Sequence, residues 1–499
     1  MSAPVTLGNG EALALASIPL LDFPSFRKAL LHAVSQGRRL ACLCADRTLT
    51  GYAVLADDAA HDFQLLRTTF PHPSFRALTP ECHQAHLFER EIAEQWDLVP
   101  EGHPWPKPVR FQGAWTEDQE PRDLPPGVMD YYRVEGEEIH EVAVGPVHAG
   151  VIEPGHFRFQ CHGERVFHLE VALGYQHRGL ERALEGGPHK LTGKMLETAA
   201  GDTTIGHGWA SALALEALSD TRIPARAQPI RLLALELERL ANHIGDLGAL
   251  SGDLGFLPTA SYCGRLRGDA LNMTAQLCGS RLGRDLLQPG GVRFDLNAAR
   301  MADLFLRLED LARDTTSAVE LLFATPSVLA RFEGTGRLDR HLAAELGLVG
   351  PPARACGLTR DARAAFPIGP YANMDFHPAT ESLGDVAARA RLRWAEIQAS
   401  FGLVREALDT LAALPTGPVA IPCGPLAPDH LALGVVEGWR GEILHLAITD
   451  DQGRLRRYKV VDPSFHNWMG LALAMRGEEI SDFPLCNKSF NLSYCGFDL

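Results

Sequence analysis

The chain has 499 residues, 46% of them hydrophobic and 22% charged, an ordinary globular composition with enough length for two or three buried cores. A net charge of −15 argues against nucleic acid as a partner, because phosphates require a basic surface. No apolar run reaches the roughly 20 residues that span a bilayer. The ten cysteines are scattered without a CxxC pair, which excludes a disulfide scaffold and leaves no thiolate cluster for iron–sulfur or structural zinc.

The N-terminus, "MSAPVTLGNGEALALASIPLLDF", has no basic region and carries Pro and Asp within its apolar part, so it is a poor signal peptide and a cytoplasmic location is expected. "FRKALLHAVSQG" has helical spacing, with Phe26, Leu30, Leu31 and Val34 near one face. "RLACLCADRTLTGYAVLAD" reads as strand, turn, strand, with Cys42 and Cys44 as buried structural residues. Proline and charge crowd the segment from Pro104 to Pro126, which reads as a linker. The stretch from His140 to Gly179 is β-rich, and from Leu184 onward the pattern becomes mainly helical. In "PIRLLALELERLANHIGDLGAL", Ile230, Leu233, Leu237, Leu240, Ile244 and Leu247 form an apolar stripe, with Glu236, Arg239, His243 and Asp246 on another face. Helical blocks follow at 297–323 and 385–414, and the last hundred or so residues return to strands. The expected fold class is α+β. A small N-terminal α+β domain (1–110) and a linker (111–136) precede a large, mainly helical domain with β-rich ends (137–499).

Individual chemical signals are plain ones. His148, His156, His162 and His168 crowd the β-rich segment and could relay protons or hold a metal, although strand alternation would put some of them on a solvated face. The Glu236, Arg239, His243 and Asp246 face could be a proton path, but a solvated face with local ion pairs is the plainer expectation. The three arginines of "GPPARACGLTRDAR" could meet a carboxylate-lined cavity or form a charged turn. No Gly-rich phosphate loop, dinucleotide fingerprint or GxSxG motif is present.

Longer motifs carry a resemblance. "EREIAEQWDLVPEGHP" (89–104) resembles the EREIxDxFGIxFxGHP signature of the small hydrophilic subunit of complex I, with Asp97 in place of its central glycine. From about Ile139 onward the chain resembles the quinone-facing large subunit of complex I and the large subunits of membrane-bound, formate-hydrogenlyase-type NiFe hydrogenases. The matching segments are "GPVHAGVIEPGHFRF", "GYQHRGLE", "LELERLANHIGDLG", "PGGV", "RACGLTRDAR" and "VVEGWRGE". The tail "KSFNLSY" resembles that of a subgroup found with antiporter-like membrane subunits.

NiFe enzymes of this family carry RGxE, then RxCGxC, and near the C-terminus DPCxxC, whose thiolates suit nickel and iron. Here Arg178, Gly179 and Glu181 match the opening, but Thr198 replaces the arginine, and Ala200 and Thr203 stand at the first cysteine pair. Asp462 and Pro463 are kept, with Ser464 and Asn467 at the second pair. The resemblance therefore implies a subunit without a NiFe centre and without a metal of its own. In the quinone-reducing relatives a histidine of the first β-loop and a tyrosine downstream of RGxE hold the headgroup. His148 matches the histidine and His156 lies near a second one, whereas Gly201 falls at the tyrosine.

Two functions are implied. The first is an oxidoreductase subunit, active only within its complex. It would pass electrons to a quinone or similar acceptor coupled to proton movement, with His148, His156, Glu181 and His207 as candidate proton groups. The second is a catalytically degenerate structural and coupling scaffold. Either way the implied partners are an iron–sulfur electron-transfer subunit and antiporter-like membrane subunits. Clusters and any NAD site would lie on those partners, and the chain would be peripheral on the inner face of the cell membrane.

Overall fold

The computed structural model describes residues 4–116, 125–148 and 153–499. Near the N-terminus, the strands Val5–Leu7, Asp62–Thr69, Thr50–Asp57 and Arg39–Ala45 form a sheet in that order, with Leu20–Leu21 pairing in parallel with Asp62–Thr69. Arg39–Ala45 is buried along its whole length, Cys42 and Cys44 included, as a strand covered on both faces must be. The helix Phe23–Ser35 begins where Asp22 accepts a hydrogen bond from the Ser25 amide, and it buries Phe26 and Leu30. A second helix, His86–Trp96, carries the EREI motif. It ends at Asp97 with φ +55°, a left-handed position that glycine takes freely, which accounts for glycine in the signature. Within the proline-rich stretch Val109, Arg110, Phe111 and Trp115 are buried, while 117–124 lie outside the described residues.

The middle of the chain opens with an antiparallel sheet of Ile139–Val144, His156–His162 and Arg165–Ala172. The helix Ala227–Asp253 follows and packs chiefly against Leu257–Cys278 and Val386–Ala413. Its expected apolar stripe is fully buried. So is the opposite face: Glu236, Arg239 and His243 have no exposed surface and Asp246 has 4%. The expectation of a solvated charged face is overturned here, because the helix has protein on every side. The two other long helices, Ala298–Phe323 and Val386–Ala413, start where Asn297 and Asp385 cap them through their side chains.

Near the C-terminus, His430–Gly438, Gly441–Thr449 and Leu455–Val461 form an antiparallel sheet, whose free edge is taken by Ala12–Ala14 from the far end of the chain. The helix Thr204–Leu218 lies across this sheet, and Gly434 allows the approach. A Cβ there would stand 2.0 Å from the Ala210 carbonyl oxygen. After Pro463–Ala474, the short helices Phe483–Phe490 and Tyr494–Asp498 run back into the interior. Arg110 donates to the Phe497 carbonyl, the Asp498 carboxylate accepts from the Gly174 and Gln176 amides, and the Arg178 amide donates to Leu499. No helix among the described residues is long and apolar enough to cross a membrane.

Candidate functional site

The RGxE loop, the start of the Thr204–Leu218 helix and the Asp462–Asn467 turn converge around one buried region. At the four positions where the related hydrogenases place thiolates, the side chains are engaged by the chain itself. Ala200 is fully buried and has no donor atom. The Thr203 hydroxyl oxygen accepts from Trp439 Nε1 at 3.1 Å and Arg440 Nη1 at 3.2 Å. Ser464 Oγ accepts from the Ser493 amide at 2.8 Å. Asn467 holds the Val349 amide and carbonyl in paired bonds of 3.1 Å. This donor set does not fit a NiFe centre: it has no thiolate, and its polar atoms are already satisfied.

Glu181, from the short helix Leu180–Ala183, is buried among cations. Its carboxylate accepts from Lys459 Nζ at 2.9 Å, Arg457 Nη2 at 2.9 Å and the Val460 amide at 3.0 Å. Lys459 also donates to Glu91 at 2.7 Å, and Glu91 pairs with Arg110. The result is an alternating chain, Arg457–Glu181–Lys459–Glu91–Arg110, with every member buried. One lysine thus joins the EREI motif to the RGxE motif. Burial alone would raise the Glu181 carboxyl, but Lys459, Arg457 and Arg110 outweigh it and hold the group below the usual carboxylate range.

His207 lies one turn into the helix Thr204–Leu218 and has no exposed surface. Its Nε2 is 3.1 Å from Asp462 Oδ2, and its Nδ1 is 3.0 Å from His445 Nε2. His445 Nδ1 is 2.9 Å from the Tyr458 hydroxyl. With Asp462 ionised as the final acceptor, the donors run in one direction: Tyr458 to His445, His445 to His207, His207 to Asp462. Burial would raise Asp462, but the His207 hydrogen bond and the Arg440 charge keep it ionised below its ordinary value. Burial, reinforced by His207, holds His445 well below the ordinary histidine value. The arrangement is a dry hydrogen-bonded relay that can pass a proton by shifting each bond in turn.

His148 and His156 flank the segment 149–152, which lies outside the described residues. Burial lowers both imidazoles, helped for His148 by the nearby His156 and for His156 by the Arg158 guanidinium, so each is neutral near pH 7. Arg158 Nε donates to His156 Nε2 at 3.2 Å, whereas neither His148 ring nitrogen has a partner among the described residues. The His148 ring lies 5.7 Å from Phe157, and Tyr494 lies 6.3 Å from the same ring. Tyr494 packs on Trp468 at 5.0 Å, and its hydroxyl is buried beside the Asn487 side chain. Burial pushes that hydroxyl up to about 12, so it remains a donor. Gly155 makes room for the ring, since a Cβ there would be 2.6 Å from it. His162 and His168 stand apart: His162 pairs with Glu138 at the surface, and His168 stacks on Tyr132.

Sequence reasoning missed Tyr494, because nothing in the spacing of the tail says that it folds back beside the first β-loop. Gly201, at the family tyrosine's place, has open space where a side chain would stand. The structure groups His148, His156 and Tyr494 around Phe157 and puts Glu181 and His207 in separate buried networks.

A third network absorbs the charged face of the central helix. Arg354 donates to Glu437 at 2.7 Å and to Glu396, and lies 3.3 Å from Asp361. Glu396 also accepts from His243 Nε2 at 2.8 Å, and Arg393 reaches Asp246 at 3.3 Å. Glu236 takes Arg239 at 3.2 Å, Ser400 at 2.5 Å and the Tyr371 hydroxyl. The arginines of "RACGLTRDAR" therefore do meet a carboxylate-lined interior. Burial and the Asp361 charge push the Glu437 carboxyl up to about 7, so this network exchanges a proton near neutrality.

Comparison with known proteins agrees with this geometry. Residues 253–428 match the family model of the respiratory-chain NADH dehydrogenase 49 Kd subunit. The chain is 30% identical to formate hydrogenlyase subunit 5 of Escherichia coli over 438 residues, covering 85% of this chain and 76% of that one. It is also 30% identical to hydrogenase-4 component G of the same organism over 473 residues, covering 90% and 81%. The fold is shared with a solved chain of the membrane-bound sulfane sulfur reductase, an archaeal respiratory membrane complex (TM-score 0.68, 24% identity, 74% of this chain and 100% of that one). The chain belongs to the family of large subunits common to respiratory complex I and the membrane-bound hydrogenases.

Proposed function

We propose that this chain is the acceptor-facing subunit of a membrane-associated, complex I-like oxidoreductase, working without a NiFe centre. Membership of the family supports the complex. The finer assignments are ours: a quinone or similar small acceptor, electrons from an iron–sulfur partner, antiporter-like membrane subunits, and a peripheral position on the inner face. We also assign residues 1–110 as the counterpart of the small hydrophilic subunit, an assignment supported by the Glu91–Lys459–Glu181 chain that joins it to the large unit.

The observation that carries the acceptor reading is that His148 and Tyr494, both neutral, pack beside Phe157, with the buried ring nitrogens of His148 unpartnered among the described residues. An unsatisfied buried donor costs about 1–3 kcal/mol, and a carbonyl oxygen at that place would remove the cost. A quinone bound there would supply a two-electron, two-proton acceptor. Of the chain's own groups, His148 and Tyr494 would each orient a quinone oxygen and give it one proton, and His156, steadied by Arg158, would stand behind His148. The His207 relay ends at Asp462, which packs against Gly496 two residues from Tyr494, and would pass a replacement proton rather than store one. Glu181, fixed as an anion, serves by its charge.

The purified complex carrying Tyr494→Phe or His148→Gln should assemble normally yet reduce quinone about 10²-fold more slowly, the lower end of a general acid's contribution. The alternative reading, a coupling scaffold, draws on the internally satisfied ligand positions. Full turnover in both variants would favour the scaffold.

A further inference from the structure

A second cavity, of about 350 Å³, lies on the other side of Trp468 and belongs to none of the networks above. That volume is within the usual range for small-molecule sites, about 300–1,000 Å³. Its walls come from distant parts of the chain: Leu87 and Arg90 of the EREI helix, His168 to Leu173 of the middle sheet, and Trp468 to Arg476 of the helix after Asp462. The lining is mostly apolar, and the few polar groups share one character. Trp468 is 4% exposed, and its indole N–H has no hydrogen-bond partner. His168 Nε2 is buried and unpartnered as well. The Arg90 guanidinium donates only to the backbone carbonyls of Lys107 and Pro108. Among the described residues no carboxylate comes within ion-pairing distance of it. Around it His86 and His103 are driven down to about 3 and about 4, by burial first and with the Arg90 charge contributing, so both are neutral and add no further positive charge. The remaining acid in the wall, Glu170, is already paired with Lys107 at 2.6 Å.

Two arginines outside any ion pair among the described residues wall this apolar cavity: Arg90, which feels Glu94 and Glu170 only through their charge, and the exposed Arg476. Together with an unsatisfied indole N–H, they favour a ligand with an apolar body and an anionic, acceptor-bearing end. We propose that this cavity binds an aliphatic carboxylate, with its chain against Leu169, Leu173 and Leu473 and its carboxylate compensating Arg90. The site is independent of the acceptor reading.

The test uses the full-length chain in its purified complex and a diazirine analogue of decanoate, with labelled peptides mapped by mass spectrometry. Label is expected within 168–173 and 468–476, displaced at least tenfold better by decanoate than by decanol. Leu473→Trp, which fills the cavity, should reduce that label at least tenfold, with Ala472→Leu as a milder filling variant should the first not fold. Arg90→Gln should remove the preference for decanoate over decanol while leaving quinone turnover unchanged. Label elsewhere, label that survives cavity filling, or equal competition by decanol overturns the assignment.

Discussion

Lys459→Met is expected to destabilise the chain by about 3–5 kcal/mol, the usual cost of removing one partner from a buried ion pair. The ammonium lies between Glu181 and Glu91, 2.9 and 2.7 Å away, with no exposed surface. Its removal leaves two buried carboxylates with only Arg457 and Arg110 to face them. The Glu181 carboxyl is depressed in the folded chain, so its contribution is fully present above the unfolded carboxylate value of about 4.3 and is lost as pH falls through the lower folded value. Without Lys459 the folded value rises, and the acid limb of the stability curve moves to higher pH. Thermal unfolding of the full-length chain across pH 4–8 measures both effects. Adding Glu181→Gln to Lys459→Met should recover part of the loss, because a neutral pair needs no counter-ion. A loss under 1 kcal/mol, or no recovery in the double variant, would show that Lys459 does not hold the two motifs together.

Arg354→Met should cost a similar amount, about 3–5 kcal/mol, with the opposite pH signature. Arg354 has no exposed surface and faces Glu396, Glu437 and Asp361. Glu437 is already raised to about 7 by burial and Asp361, and loss of the guanidinium raises it further. A carboxyl whose folded value lies above its unfolded value binds its proton more tightly in the folded chain, so stability rises as pH falls between the two. The loss on mutation should therefore be smaller at pH 6 than at pH 8. Arg354→Lys should fall between wild type and methionine, since an ammonium keeps the charge but lacks the planar fork that meets Glu396 and Glu437 through separate nitrogens. Urea unfolding at the two pH values gives the comparison, and equal losses at both would contradict a proton-exchanging network.

The long helices were legible because periodicity and caps are local. Asn297 and Asp385 each stand one residue before the helix they start, and the stripe from Ile230 to Leu247 marks a buried face. Which residues share a face follows from 3.6-residue spacing, but what packs on that face does not. His243 meets Glu396, 153 positions away, so the same charges read equally well as a solvated surface. The RGxE and Asp462–Pro463 motifs identified the region of the former metal site, and the missing thiolates showed in the sequence itself. Three features depend on tertiary contacts alone. Ala12–Ala14 crosses to the C-terminal sheet with too few residues to carry a pattern. Lys459 lies in an ordinary-looking strand, and its role appears only when Glu91 and Glu181 are brought to it. Tyr494 gains its place beside Trp468 because the tail folds inward.

The role proposed for His148 and Tyr494 is to meet a quinone-type acceptor in a family member without nickel ligands. Its most direct test is photolabelling of the purified native complex with a photoreactive quinone analogue, followed by mapping of the labelled peptides. The account predicts label, competed by unmodified quinone, in the segments bearing His148–Phe157 and Tyr494. Label confined to membrane subunits, or none at all, would contradict it and leave the chain as a coupling scaffold.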